Sequence, residues 1–218
     1  RVKQFQLELK DAQWEFKPGQ HTVIHFEKDG EEVSRPYTPT DLPGTEKFVL
    51  AIKRYKDGIA STFMHDRQPG DTIEVSEPSG NLYLRDLEKN AVFVSTGTGI
   101  TPMVAMLKQY LKEGSGNAWF FFGERTQEDL MYRETLDQLE AEHENLKVVY
   151  SLSDEEWGGP EGFVQEHLED FLESFEDKHF YVCGVPQMVV DTLDLLEERG
   201  VEEDRIFSEG WEKDAVGD

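Results

Sequence analysis

The chain has 218 residues, enough for one large domain or two small ones. Hydrophobic residues make up 37% and aromatic residues 11%, which supports a packed core and excludes a fibrous or low-complexity chain. Acidic side chains outnumber basic ones 46 to 22, and the net charge of −24 argues against nucleic acid or anionic lipid as a partner, while the single cysteine excludes an internal disulfide and a four-cysteine iron–sulfur cluster.

In chain order, the first part reads as short strands separated by turns. Residues 6–9 and 21–26 alternate with period two, and 48–52 and 71–75 are further strands. Lys17-Pro18-Gly19 and Lys28-Asp29-Gly30 are turn signals. A short helix is expected to begin near Ser61, with Ser61 as its N-cap. This spacing fits a small antiparallel β-barrel. The rhythm then changes. Residues 91–95 form an unbroken apolar run, as in a buried parallel strand. A helix over 102–112, a strand over 118–122, a helix over 127–143 and a strand over 147–152 follow. A helix over 163–175, a strand over 179–183, a helix over 186–199 and a strand over 205–208 close the set. Alternating strand and helix predicts a doubly wound, parallel, five-stranded α/β sheet, with ligands beyond the carboxyl ends of its strands.

Charge marks the same boundary. Residues 1–88 carry 12 basic and 16 acidic side chains, a net of −4, whereas 89–218 carry 10 and 30, a net of −20. Two domains, 1–88 and 89–218, are therefore expected. Acid spread along the whole chain suits the salt-rich cytoplasm of a halophile, where a Debye length of about 3 Å at molar salt screens self-repulsion. An acidic mesophilic protein is the alternative. No apolar run approaches the roughly 20 residues that span a bilayer. The first residues alternate like a strand and lack the apolar stretch of a secretory signal; the cytoplasmic location expected here follows from the acidic composition.

Three motifs carry chemistry. The first is Arg35-Pro36-Tyr37-Thr38. A flavin needs positive charge or backbone N–H groups for its diphosphate, a flat partner for its ring and a hydrogen-bonding group at N5. Arg35 can pair bidentately with a diphosphate. Tyr37 can stack on the ring, and the Thr38 hydroxyl can reach the N5 edge. Pro36 and Pro39 hold the backbone extended. A plain strand and turn would accommodate the same tetrapeptide. The segment from Gly58 through Ala60, Ser61 and Thr62 then offers the N–H groups of a helix start to a diphosphate.

With Pro78-Ser79-Gly80, this arrangement resembles the ferredoxin–NADP reductase family, and the resemblance runs from about residue 3 to 211. It implies an N-terminal FAD-binding β-barrel, with Ala51, Ile52 and Lys53 among the FAD contacts, followed by an NAD(P)-binding α/β domain.

The second motif is Gly97-Thr98-Gly99-Ile100-Thr101-Pro102, between a strand and a helix. Its glycines let the backbone approach a pyrophosphate at a helix N-terminus, with Thr96 before the loop and Thr101 within it. Pro102 suits the first helical position, and the Pro-terminated form is usual in the resembled family. Glu124 and Arg125 end the next strand, and Ser153 and Asp154 the one after. In the family these loops lie near the adenosine end, and relatives that prefer NADPH carry Arg just after that Ser. Asp154, followed by Glu155 and Glu156, implies NADH over NADPH, although Arg125 can still serve a 2′-phosphate.

The third motif is Cys183-Gly184-Val185-Pro186, with Met188 just beyond. In the family the Cys lies beside the nicotinamide C4, whereas an inert buried thiol is the alternative reading. Glu209 and Trp211 match a terminal acid and aromatic in several relatives. The resemblance implies that Trp211 covers the flavin and that Glu209 assists proton traffic at N5 with Thr38 and Cys183.

The expected enzyme is an FAD-dependent oxidoreductase. Hydride passes between NADH or NADPH and the flavin, and electrons then pass to an acceptor such as a ferredoxin, with Lys53, Arg54 and Lys56 as a basic docking patch. A flavin or quinone reductase, an electron-transfer subunit of a larger complex and a nucleotide-binding module without flavin are the alternatives. His21 and His25 are too far apart along one strand to share a metal, so no metal site is expected. A monomer or small oligomer is expected.

Overall fold

The computed structural model describes residues 2–10 and 13–210. The predicted strands of the first part form two small antiparallel sheets around one apolar core. Strand β1 (Val2–Glu8) pairs with β4 (Lys47–Lys53), with Val2 opposite Lys53 and Glu8 opposite Lys47. Strand β2 (Thr22–Lys28) lies between β3 (Glu31–Tyr37) and the two-residue β5 (Glu74–Val75). Trp14, Ile24, Phe48, Leu50, Ile52 and Met64 fill the space between the sheets. Only 74–75 of the predicted strand 71–75 pair, because Asp71 instead closes a turn with Gln68. Arg35, Pro36 and Tyr37 of the first functional motif end β3, whose edge position tolerates the missing N–H of Pro36, and Thr38 follows the strand.

Helix α1 (Ile59–His65) starts two residues before its expected N-cap. Gly58 is the N-cap and makes no side-chain cap bond. Ser61 lies inside the helix, where its hydroxyl donates to the Gly58 carbonyl and accepts from the Tyr55 N–H. The Ser61 expectation is thus corrected, since local bonds to the preceding loop hold that hydroxyl.

The second part is the predicted doubly wound sheet, with strands ordered β10-β9-β6-β7-β8 and all pairs parallel. The strands are β6 (Asn90–Thr96), β7 (Ala118–Glu124), β8 (Leu146–Leu152), β9 (Lys178–Gly184) and β10 (Ile206–Gly210). Val92, Phe93, Val94 and Ser95 of the central β6 are fully buried because helices cover both faces. Helices α2 (Ile100–Glu113) and α3 (Arg133–Glu142) pack on one face, while α4 (Leu168–Phe171) and α5 (Pro186–Glu198) pack on the other.

Three expected helices differ. A 3₁₀ turn over Gly97–Gly99 leads directly into α2, so Pro102 is its third residue, where its missing N–H is still harmless. The expected 127–143 helix breaks into a 3₁₀ turn (Gln127–Asp129) and α3, because Tyr132 adopts the left-handed conformation at φ 58°. The expected 163–175 helix shortens to a 3₁₀ turn (Val164–His167) and one turn of α4. Phe175 leaves the helical path and stacks on Phe180 at 5.8 Å between ring centroids.

Candidate functional site

Strand order reverses at β6, which has β7 on one side and β9 on the other. Such a switch point opens a crevice beyond the strand ends. The glycine loop leaves β6 there, and the Cys183-Gly184-Val185-Pro186 turn leaves β9 beside it. The two loops are in contact. The Thr96 hydroxyl accepts the Val185 N–H at 3.0 Å. Any β-carbon on Gly99 would run into the Cys183 carbonyl, so only glycine allows this approach. Gly97 has φ 58° and open space beside it, as a cradle for an anion requires. The Thr101 hydroxyl bonds the Thr98 carbonyl at 2.9 Å and fixes the start of α2.

Cys183 is buried, and that burial, reinforced by Glu209, pushes its thiol up to about 12. The thiol is therefore neutral. Glu209 lies opposite Cys183 on β10, and its carboxylate meets His21 Nδ1 at 3.2 Å. The Glu209 hydrogen bond raises the His21 pKa, against burial, which lowers it. His21 bridges Ser79 at the foot of β2, so this pair joins the two halves of the chain. Met188 points into the core under the turn, where its sulfur meets the Thr192 hydroxyl.

The first motif ends two residues before Thr40, which is tied to the second half. Arg35 is exposed, and its guanidinium makes one bond, to the Ser34 carbonyl. Tyr37 is half-buried, and burial pushes its hydroxyl up to about 12, against the opposing charge of Arg35. Thr40, two residues beyond Thr38, is held from the second half at two points: Lys108 Nζ donates to its carbonyl at 2.9 Å and the Tyr132 hydroxyl to its Oγ1 at 3.3 Å. Lys53 meets Asp129 at 3.6 Å, a further tie across the seam. Ala51, Ile52, Ala60 and Ser61 are buried, and Thr62 is half-buried. What β4 offers the crevice is Lys53.

At the ends of β7 and β8, Asp154 pairs with Arg125 at 3.2 Å, and backbone bonds join Ser153 to Glu124 and Asp154 to Arg125. An open pocket there is lined by Ser153, Asp154, Glu155, Glu156 and Glu161. Glu155 holds the Gln127 side chain at 2.7 Å and its N–H at 2.8 Å. The Glu124 carboxyl is pushed up to about 7, chiefly by burial and against the pull of Lys53.

The expected basic docking patch is largely neutralised. Lys53 pairs with Asp129, and Arg54 with Asp66 at 3.7 Å. That leaves Lys56 beside the exposed side chains of Tyr55 and Ile59. Trp211 lies outside the described residues. His21, Lys108, Asp129 and Tyr132 are seam residues that sequence reasoning did not find. Their partners are tens of residues away, and no local pattern marks them. Among the described residues there is no metal-binding cluster and no helix long and apolar enough to cross a membrane.

The fit to two nucleotides can be tested on these groups. A guanidinium held only by the neighbouring Ser34 carbonyl and a helix start without a side-chain cap suit a flavin diphosphate. An open glycine turn beside a neutral thiol suits the other. Comparison with known proteins agrees. Residues 1–83 match the oxidoreductase FAD-binding domain family, and residues 93–194 match the oxidoreductase NAD-binding domain family. The chain is 32% identical over 201 residues to ferredoxin–NADP reductase B of Sorangium cellulosum, covering 86% of this chain and 82% of that one. It is 34% identical over 216 residues to NADH-cytochrome b5 reductase 1 of Dictyostelium discoideum, covering 95% and 76%. The FAD/NAD-binding domain of nitric oxide dioxygenase from Vibrio cholerae superposes with a TM-score of 0.88 at 24% identity, over 96% of this chain and 92% of that one.

Proposed function

Because the chain belongs to the ferredoxin reductase-like family of FAD- and NAD(P)-binding flavoprotein oxidoreductases, we propose that it oxidises NADH in preference to NADPH and passes the electrons to a separate acceptor protein, a ferredoxin. One observation carries this reading. The Arg35–Thr38 segment and the Cys183 turn belong to different halves of the chain, yet Lys108, Tyr132 and Glu209 tie those halves at one seam. The expected domain limits, 1–88 and 89–218, place that seam between an FAD-binding and an NAD(P)-binding domain.

A bound flavin would supply hydride-accepting chemistry toward a nicotinamide nucleotide. The chain's residues position, exclude water and manage charge. Arg35 and the start of α1, with Gly58, hold the flavin diphosphate. Tyr37 would pack against the flavin ring, and Thr38 would offer it a hydroxyl. Thr96, Gly97, Thr98 and Gly99 cradle the second diphosphate. The neutral Cys183 thiol and Gly184 would receive the nicotinamide. Glu209 holds a proton-sharing pair with His21 at Nδ1 and stands next to Cys183 on the neighbouring strand.

The preference for NADH rests on the pocket at the end of β8. Asp154 neutralises Arg125, and Glu155, Glu156 and Glu161 leave the lining negative. A 2′-phosphate would be repelled there, whereas a ribose hydroxyl can donate to a carboxylate. Asp154→Arg should move the ratio of kcat/KM for NADPH over NADH upward by about tenfold or more. An unchanged ratio would place discrimination elsewhere. Lys56, Tyr55 and Ile59 support a small docking face for the acceptor, and turnover with a panel of ferredoxins, free flavins and quinones distinguishes the ferredoxin reading from a flavin or quinone reductase.

A further inference from the structure

Glu124 is the last residue of β7, and the residue before it pairs with Thr96, so its side chain lies against the glycine loop. The N–H groups of Gly97 and Arg125 face its carboxyl. Its Oε1 is buried and has no hydrogen-bond partner. The charged groups that face it are Lys53 from β4 and Asp129 from the turn before α3, and these two pair with each other at 3.6 Å. The neighbouring Arg125 guanidinium is turned to Asp154. Glu124 thus has no cation of its own, and its carboxyl stands beside the N–H groups of the loop that the preceding reading assigns to a diphosphate.

We propose that the Glu124 carboxylate competes with the diphosphate of the nicotinamide nucleotide for the glycine loop, so that nucleotide binding takes up one proton at Glu124. The inference rests on the nucleotide occupying the Gly97 loop. The balance is simple. Ionised Glu124, a solvent proton and the nucleotide give neutral Glu124 beside the bound diphosphate, with no covalent bond or redox change. An anion arriving beside a half-buried carboxylate favours the protonated form. The neutral carboxyl can then donate to a phosphate oxygen instead of repelling it. Burial already holds this carboxyl near pH 7, so the exchange falls in the physiological range.

The sign follows. Below pH about 7 the group is already neutral and affinity is flat. Above it, affinity falls until the raised pKa of the bound state is passed. NAD⁺ is a suitable probe, since it carries the diphosphate and does not reduce the flavin. Titration calorimetry of the FAD-loaded protein should give a Kd for NAD⁺ that rises about tenfold from pH 7 to 8.5. Paired buffers of different ionisation enthalpy should report uptake approaching one proton near pH 8. Glu124→Gln, a neutral isostere, should bind about equally at both pH values and about tenfold more tightly than the unaltered protein at pH 8.5. In the unaltered protein, infrared difference spectra on NAD⁺ binding at pH 8 should gain a protonated-carboxyl band, a readout that needs no variant. A slope retained in Glu124→Gln, weaker binding by that variant at both pH values, or no such band would overturn the proposal while leaving the nucleotide site in place. NAD⁺ that fails to bind at any pH would overturn the site reading itself, and this inference with it.

Discussion

Gly99 is where the two loops of the crevice press together, and Gly99→Ala measures how much depends on that contact. A β-carbon there would meet the Cys183 carbonyl carbon and oxygen and would lie 2.7 Å from the Gly184 Cα. All three are backbone atoms, and the residue before Gly184 is locked in the ladder opposite Ser95. Relief therefore requires the start of α2 or the Cys183 turn to move by about 1 Å. Overpacking of this kind costs about 1–3 kcal/mol. In a chain of this size that lowers the melting temperature by roughly 3–10 °C. A displacement of about 1 Å at the reacting centre can slow hydride transfer by up to ~100-fold. Urea unfolding and stopped-flow flavin reduction by NADH check both effects. Gly97→Ala is the internal control: its β-carbon meets nothing within 4 Å, and only its left-handed φ of 58° resists substitution, at about 1 kcal/mol. If Gly99→Ala were as stable as the unaltered chain and reduced flavin as fast, the argument from loop contact would fail.

Three further outcomes are expected. Tyr37→Ala should weaken FAD retention about tenfold, through loss of a stacked aromatic, as read by flavin content after dialysis; unchanged content would remove the stacking role. Cys183→Ala should slow flavin reduction by about tenfold or more while FAD stays bound, and equal rates in stopped flow would reduce the thiol to a packing group. His21 has a raised folded-state pKa because Glu209 accepts its hydrogen bond, so the stability it contributes is fully present below pH about 6.5 and is lost as pH rises through that raised value. His21→Gln should accordingly cost up to about 1 kcal/mol at pH 6 and almost nothing at pH 9 in urea unfolding, since the pair is partly exposed; equal losses at both would show that the pair does not titrate as stated.

Much of this protein is legible in one dimension. The unbroken apolar run of β6 announces a strand buried on both faces, and the alternation of strand and helix after it implies a parallel sheet. The glycine loop and the Cys183 turn are local signals, because turn chemistry places each at a strand end. Where local bonding and distant packing competed, the sequence misled. Ser61 has the composition of an N-cap, yet it turns its hydroxyl to the preceding loop. The acids and amides of 127–143 favour one long helix, yet Tyr132 takes a left-handed conformation and extends its hydroxyl to Thr40. The apparent basic cluster at Lys53 and Arg54 is a pair of ion pairs with acids 76 and 12 residues away.

The sequence by itself determined the two-part fold, the order of the motifs and the residue types able to hold two nucleotides, because strand period, helix period and turn chemistry are all written within a few residues. Only the tertiary structure decided that His21 meets Glu209, that Lys108 and Tyr132 clasp Thr40, and that the Glu124 carboxyl lies beside the Gly97 loop with its Oε1 buried and without a partner. Those contacts join residues up to 188 positions apart (His21 and Glu209), and nothing short of the folded chain brings them within hydrogen-bond reach.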